Sequence, residues 1–177
     1  MVKEIKFPRR GKLIAGIMSS NLDLIEEAEQ RLIKKFGKTD FESPLFPFTY
    51  TDYYAEEMGE GIQKKFVSFS ELVAVEDLPY IKIFTNDLEK RSLKEGKRQV
   101  NIDPGYLTHH QMVLGTTKAY AHRIYLREGI YAELTYICKK KKLQALDWTY
   151  PDFKEPFVML FFQKVRERYL KQVRLSR

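Results

Sequence analysis

The side chains best suited to chemistry lie between residues 118 and 133: Lys118, His122, Arg123, Tyr125 and Glu133. A carboxylate beside a histidine can orient it or tune it for general acid–base work, which makes His122 and Glu133 candidate catalytic groups. Lys118 and Arg123 could clamp a phosphate or carboxylate, with Tyr125 donating a further hydrogen bond. Upstream, "VNIDPGYLTHHQ" (100–111) sets Asp103 before Pro and Gly and follows it with two adjacent histidines. Asp103 is a third catalytic candidate, because a turn can hold a carboxylate at the edge of a cleft. "TDYYAEEMGEG" (51–61) contributes Asp52, Glu56 and Glu57. Oxygen ligands of this kind could bind a divalent cation, with Asp52 the candidate, although carboxylates alone carry little specificity and a solvated acidic surface is the simpler expectation.

Whether these groups converge depends on the elements that carry them. "AHRIYLREGIYAELTYIC" reads as a β-hairpin around Glu128 and Gly129. A two-residue loop would pair Ile124 with Glu133 and put His122 diagonal to Glu133 on the same face. A three-residue loop would instead set Arg123 directly opposite Glu133 as a cross-strand ion pair. Asp103, Pro104 and Gly105 suit a type I or II turn: Pro fixes φ and Gly accepts positive φ. Thr108 to Gln111 could then start a short helix ending at Gly115, although "QMVLG" equally suits a strand. His109 and His110 cannot easily share one metal, since neighbours diverge by about 100° on a helix and point to opposite faces of a strand. No third ligand sits at i+2 or i+4, so the pair is expected to be incidental.

The remaining elements follow from periodicity. "KLIAGIMSS" (12–20) is a continuous apolar run that suits a buried strand. A helix over 22–36 places Leu22, Ile25, Ala28, Leu32 and Phe36 on one face, capped by Ser20 or Asn21 and stopped at Gly37. "PLFPFTYTDYY" looks extended, with Pro44 and Pro47 confining it to an edge. "KKFVSFSELV" (64–73) alternates, with Phe66 facing away from Val67 and Phe69. A helix over 77–94 and a strand "KRQVNI" complete a β-α-β-β-α-β order, the ferredoxin-like arrangement. The fold class is therefore α+β: that opening, then an antiparallel hairpin region with a short strand "LQAL", then a C-terminal helix from Pro156 to about 175. The stripe of this last helix is Val158, Phe161, Phe162, Val165, Tyr169 and Val173. "DWTYPD" is expected to seal the core with Trp148 and Tyr150. No linker, repeat or low-complexity tract divides residues 1–177, so one domain is expected.

Composition narrows the function classes. Hydrophobic content of 44% with 12 Phe and 11 Tyr indicates a packed, aromatic core. No apolar run approaches the roughly 20 residues of a membrane span, and the charged N-terminus has no long apolar region after it. Cys138 stands alone, which excludes an internal disulfide and a cysteine zinc site; a cytoplasmic protein is the simplest expectation. Residues 97–177 hold 16 Lys and Arg against 7 Asp and Glu, whereas residues 1–96 hold 15 against 17. A basic half can attract a small anion, RNA or an acidic protein partner. Abundant Lys, Arg and Glu with scarce Asn and Cys is also how a thermophile's surface reads. No nucleotide phosphate loop, dinucleotide fingerprint or nucleophile elbow is present, so the usual triphosphate cradle is absent and the cofactor stays unknown.

The stretches "TDYYAEEMG", "NIDPGY", "HRIYLREGIYAE" and "WTYPD" together resemble a bacterial family, domain of unknown function 4416. The likeness runs from "KLIAGIMSS" to the last helix, which implies one domain and carries no catalytic assignment. Members have been associated with GTP binding, but the chain lacks the usual phosphate loop. The expected function is binding, with turnover left open, of a small anionic or phosphorylated ligand in a cleft lined by Lys118, His122, Arg123 and Glu133. The alternatives are an RNA-binding module that uses the basic half and a protein-interaction domain that presents Lys164, Arg168 and Lys171 of the last helix.

Overall fold

The structure, a computed structural model, describes residues 4–175. The apolar run expected as a buried strand forms β1 (Gly11–Ser19), and every one of its residues is buried. Continuous burial requires cover on both faces. Leu13, Ala15 and Ile17 pack against Ile25, Ala28 and Leu32 of α1 (Leu22–Phe36) and against Ile81 and Leu88 of α3 (Leu78–Arg91). On the opposite face Ile14 joins Phe66 beneath Val158, Phe161, Phe162, Val165 and Tyr169 of α4 (Pro156–Leu175). The molecule is thus a sheet between two helical layers. The apolar stripe of α4 is the one its spacing predicts; that of α1 is too from Ile25 onward, whereas Leu22 is 53% exposed and Leu24 packs at that end instead.

The remaining strands are β2 (Thr39–Glu42), β3 (Phe46–Pro47), β4 (Gln63–Val73), β5 (Asn101–Leu107), β6 (Gln111–Thr116), β7 (Arg123–Arg127), β8 (Ile130–Lys139) and β9 (Lys142–Ala145). They form one nine-stranded sheet in the order β2-β4-β1-β5-β6-β8-β7, with β3 beside β4 and β9 beside β8. All pairings are antiparallel. The partner expected in the Pro44–Tyr54 region is mostly elsewhere. The flanking strand β2 begins just after Gly37 turns the chain at φ 91°, whereas only Phe46 and Pro47 of the later stretch pair with β4. Two prolines lack the donors that a longer ladder needs. Beyond them Thr51 accepts from the Tyr53 amide, opening a 3-10 turn (Asp52–Tyr54) that runs into the single-turn α2 (Ala55–Met58).

Asp103, Pro104 and Gly105 do not turn the chain. They lie inside β5, opposite Gly16, Ala15 and Ile14 of β1. The Ile102 amide and carbonyl point away from β1, and by strand alternation those of Pro104 do too. Pro104 therefore removes a donor from a side where β6 is not yet paired, since pairing starts at Gly105 with Leu114. Gly105 serves close approach: an added Cβ would lie 2.3 Å from the Val113 carbonyl oxygen and 2.8 Å from Leu114 Cδ2. The corner comes three residues later, where the Thr108 amide donates to the Gln111 carbonyl at 2.9 Å with His109 and His110 at the tip. Residues 111–116 accordingly continue as β6, not as a helix.

Gly105→Ala is expected to lower unfolding free energy by about 2–3 kcal/mol, at the upper end of overpacking costs. A urea midpoint shift at unchanged m would register it.

Candidate functional site

The site begins where β5 and β6 part. They pair only through Gly105–Leu107 and Met112–Leu114, while β6 runs on with β8 as far as Thr116. The exposed edge of β5 is occupied by two side chains of α3. Glu89 accepts from the Ile102 amide at 2.7 Å, and Lys82 Nζ donates to the Ile102 carbonyl at 2.9 Å. Burial holds the Glu89 carboxyl above its usual range, against the pull of Lys82 and the Ile102 amide. Asp103 follows on the α4 side, accepting from Asn101 Nδ2 at 2.9 Å with Lys82 Nζ at 3.9 Å.

Over this gap, ahead of the N-terminus of α4, lies a cleft of about 400 Å³. Met18, Lys64 and Asp103 supply its strand-borne lining; Tyr53 and Tyr54, then Lys118 and Tyr150, supply its walls. Lys64 Nζ donates to Asp152 Oδ2 at 2.7 Å, with both side chains almost fully buried. The same ammonium lies 5.0–5.3 Å from the ring centres of Phe48, Phe66 and Phe153. Such a cage stabilises a desolvated cation, provided its carboxylate stays. Lys118 Nζ is placed differently. It donates to Tyr53 OH at 3.2 Å, lies 4.4 Å over that ring, and makes no ion pair with a described carboxylate. Burial, and next Asp103, push the Tyr54 phenol well above its ordinary value. Burial, and next Glu133, raise that of Tyr150. At neutral pH both phenols are hydrogen-bond donors.

Behind Lys118 stands the β7–β8 hairpin. Glu128 and Gly129 both take positive φ, 54° and 76°, as a two-residue turn of the I′ kind requires. A bulge between Tyr125 and Arg127 then shifts the ladder, so Arg123 pairs with Glu133 and Ile124 with Ala132. The turn has the shorter length while the register is the one a three-residue loop would give. Glu133 is buried, and its Oε2 meets Arg123 Nε at 2.6 Å and His122 Nε2 at 3.1 Å. The other two nitrogens of Arg123 donate to the Lys118 carbonyl at 3.0 Å and to Tyr150 OH at 2.8 Å. Arg123 thus ties the Lys118 loop and the Tyr150 segment to β8.

A family model described as Domain of unknown function (DUF4416) matches residues 9–169. The chain belongs to that family. No curated protein and no solved structure matches it.

Within this DUF4416 chain, the candidates named from spacing divide into three groups. Lys118 and Asp103 line the cleft. Arg123, Glu133 and His122 form one network behind it, where Arg123 spends its donors on protein acceptors and acts as a positioning residue. His122 also stacks on Trp148, with ring centres 5.1 Å apart and planes at 16°. Tyr125 and Asp52 are not among the cleft's lining residues: Tyr125 is exposed and packs edge-on against Tyr131, while Asp52 is exposed at the start of its 3-10 turn. Among the described residues no group of three or more His, Cys, Asp or Glu could hold a metal. No helix among them is long and apolar enough to cross a membrane.

Trp148 and Tyr150 do not seal the core, being 41% and 42% exposed; Thr149, Asp152 and Phe153 are the buried members of that segment. Trp148 Nε1 instead donates to the Leu134 carbonyl at 2.7 Å, and Thr149 to that of Thr135, in the interval of β8 between β7 and β9. Lys64, Tyr54, Tyr150 and Asp152 went unnoticed as site residues. One signal was present: alternation puts Lys64 on the same strand face as Phe66, and a lysine on a core face needs a partner.

Two outcomes follow from these ion pairs. Asp152→Ala, which strands Lys64 among three rings, is expected to cost about 3–5 kcal/mol, seen as a large drop in melting temperature. Glu89 has a folded-state pKa raised above its ordinary 4.5, so the native state holds the extra proton. Its contribution is full below the unfolded value and declines as pH rises through the folded one. Denaturant titrations across the mildly acidic range are expected to show wild type losing stability relative to Glu89→Gln as pH increases.

Proposed function

We propose that the cleft beside Asp103 binds a small ligand carrying a phosphate or carboxylate group and a flat or ring-shaped body. The observation that carries this reading is Lys118: an ammonium without a described carboxylate partner, at the wall of a 400 Å³ cleft. Tyr53 and Tyr54 offer ring faces, and the Tyr150 phenol offers a donor. Lys64 is neutralised by Asp152 and contributes shape and dipole more than net charge. Asp103 is the lining carboxylate available to accept a hydrogen bond or a proton from the ligand, so any turnover would run through it. His122 and Glu133 would influence such a step through Arg123 and Tyr150. The order β2-β4-β1-β5 with α1 and α3 on one face supports a ferredoxin-like reading of the first half. The lone Cys138 supports a cytoplasmic setting.

Calorimetric titration of sugar phosphates, nucleotides and di- and tricarboxylates, at low and high salt, tests this function. A saturable binder is expected whose affinity falls at least about tenfold in Lys118→Ala and less in Tyr150→Phe, as loss of a charged and of a neutral hydrogen bond would give. No binder, or one indifferent to Lys118→Ala, would reject the reading. Binding of short RNA alone, vanishing at high salt, would replace the cleft by a basic surface.

A further inference from the structure

A larger cavity, of about 590 Å³, lies at the other end of β1. One wall is the segment entering that strand, held where Arg10 Nε donates to the Leu72 carbonyl and Tyr169 OH donates to the Arg10 carbonyl, each at 3.0 Å. This fixes Arg9 beside Tyr169. The opposite wall is the β5–β6 corner with its two histidines. That corner is itself anchored: the Cys138 amide donates to the His110 carbonyl at 2.7 Å. Arg166 Nε and Nη2 donate to the His109 carbonyl at 3.3 and 3.1 Å, and Nη1 to the Lys141 carbonyl at 3.3 Å.

The charge balance here is one-sided. None of the described lining residues is Asp or Glu, while Arg9, His109 and His110 are among them. Arg166 is 7% exposed and forms no ion pair with a described carboxylate. Its three bonds go to carbonyls, which engage three of its five N–H donors and leave its charge without a described counter-ion. A buried cation in that state is costly unless an anion is near. Thr108, Gln111 and Tyr106 add hydrogen-bonding groups to the same walls.

We infer that this cavity is a second anion site, taking the phosphate or carboxylate group of a small molecule between Arg9 and the β5–β6 corner that Arg166 anchors. It is separate from the cleft beside Asp103: the two share no described lining residue. At the tip of that corner the exposed His110 then offers a ring N–H to the anion.

Amide chemical shifts of the full chain, followed during separate titrations with inorganic phosphate and with citrate, test the site. Saturable shifts at residues 108–111 are expected, with apparent affinity reduced at least about tenfold in Arg9→Gln, as removal of a charge-assisted partner would give. Tighter phosphate binding would assign a tetrahedral dianion, and tighter citrate binding a carboxylate. Arg166→Met is expected to abolish the response; should it fail to fold by circular dichroism, the Arg9→Gln, His110→Gln double variant carries the same expectation. The inference is overturned if neither anion gives saturable shifts at these amides, or if the shifts survive unchanged in Arg9→Gln and in the double variant.

Discussion

Everything in this molecule answers to the cover on both faces of β1. A strand with helices above and below can keep apolar side chains on both sides, but each polar group it carries must find a partner inside. Lys12 is fully buried, and it reaches Asp40 of β2 at 2.5 Å and Gln172 of α4 at 3.1 Å. Ser68, opposite Ile14 on the neighbouring strand, donates to the same Asp40 at 2.6 Å. Lys64, opposite Met18, takes Asp152. These pairs link the sheet to β2, to the segment before α4 and to α4 itself. Removing one partner leaves a charge or a hydrogen-bonding group in a dry interior.

The cleft is where that cover ends. Helix α4 begins only at Pro156, so the sheet surface around Met18, Lys64 and Asp103 is roofed by turns instead of a helix. On the other face α3 continues, and its Lys82 and Glu89 take over the hydrogen bonds that β6 gives up. The divergence of β5 from β6 therefore leaves Ile102 without an unsatisfied backbone group, and it exposes Asp103 beside Lys118 and the tyrosines. Arg123 braces the far wall by joining Lys118, Tyr150 and Glu133. One oxygen of Glu133, Oε1, is buried without a described hydrogen-bond partner.

Much of this was legible from local pattern. The stop at Gly37, the α1 spacing from Ile25 to Phe36 and the start of α4 at Pro156 are the observed ones, and of the two N-cap candidates Asn21 is the one used, because each depends on residues within a few positions of one another. The alternation that separates Phe66 from Val67 and Phe69 likewise sorts them into the two cores. The family was legible in four short stretches of sequence, and its match covers residues 9–169. What misled were residues whose local meaning is overridden at a distance. Asp103, Pro104 and Gly105 have every feature of a turn, yet β1 beside them and α3 below make the extended form better paired.

The sequence by itself determined the α1 and α4 helices, the buried strand β1, the hairpin tip at Glu128 and Gly129, and the presence of Lys118, Asp103, His122, Arg123 and Glu133 as the chemically capable set. Only the tertiary structure decided which of them face a cavity. A bulge between Tyr125 and Arg127 set Arg123 against Glu133, and the parting of β5 from β6 brought Asp103 to a wall shared with Lys118 and Tyr150. The physical reason is range. Caps, turns and helical faces are settled by neighbours within about one turn or one strand pair, whereas a cleft is the leftover space between layers whose contacts span most of the chain.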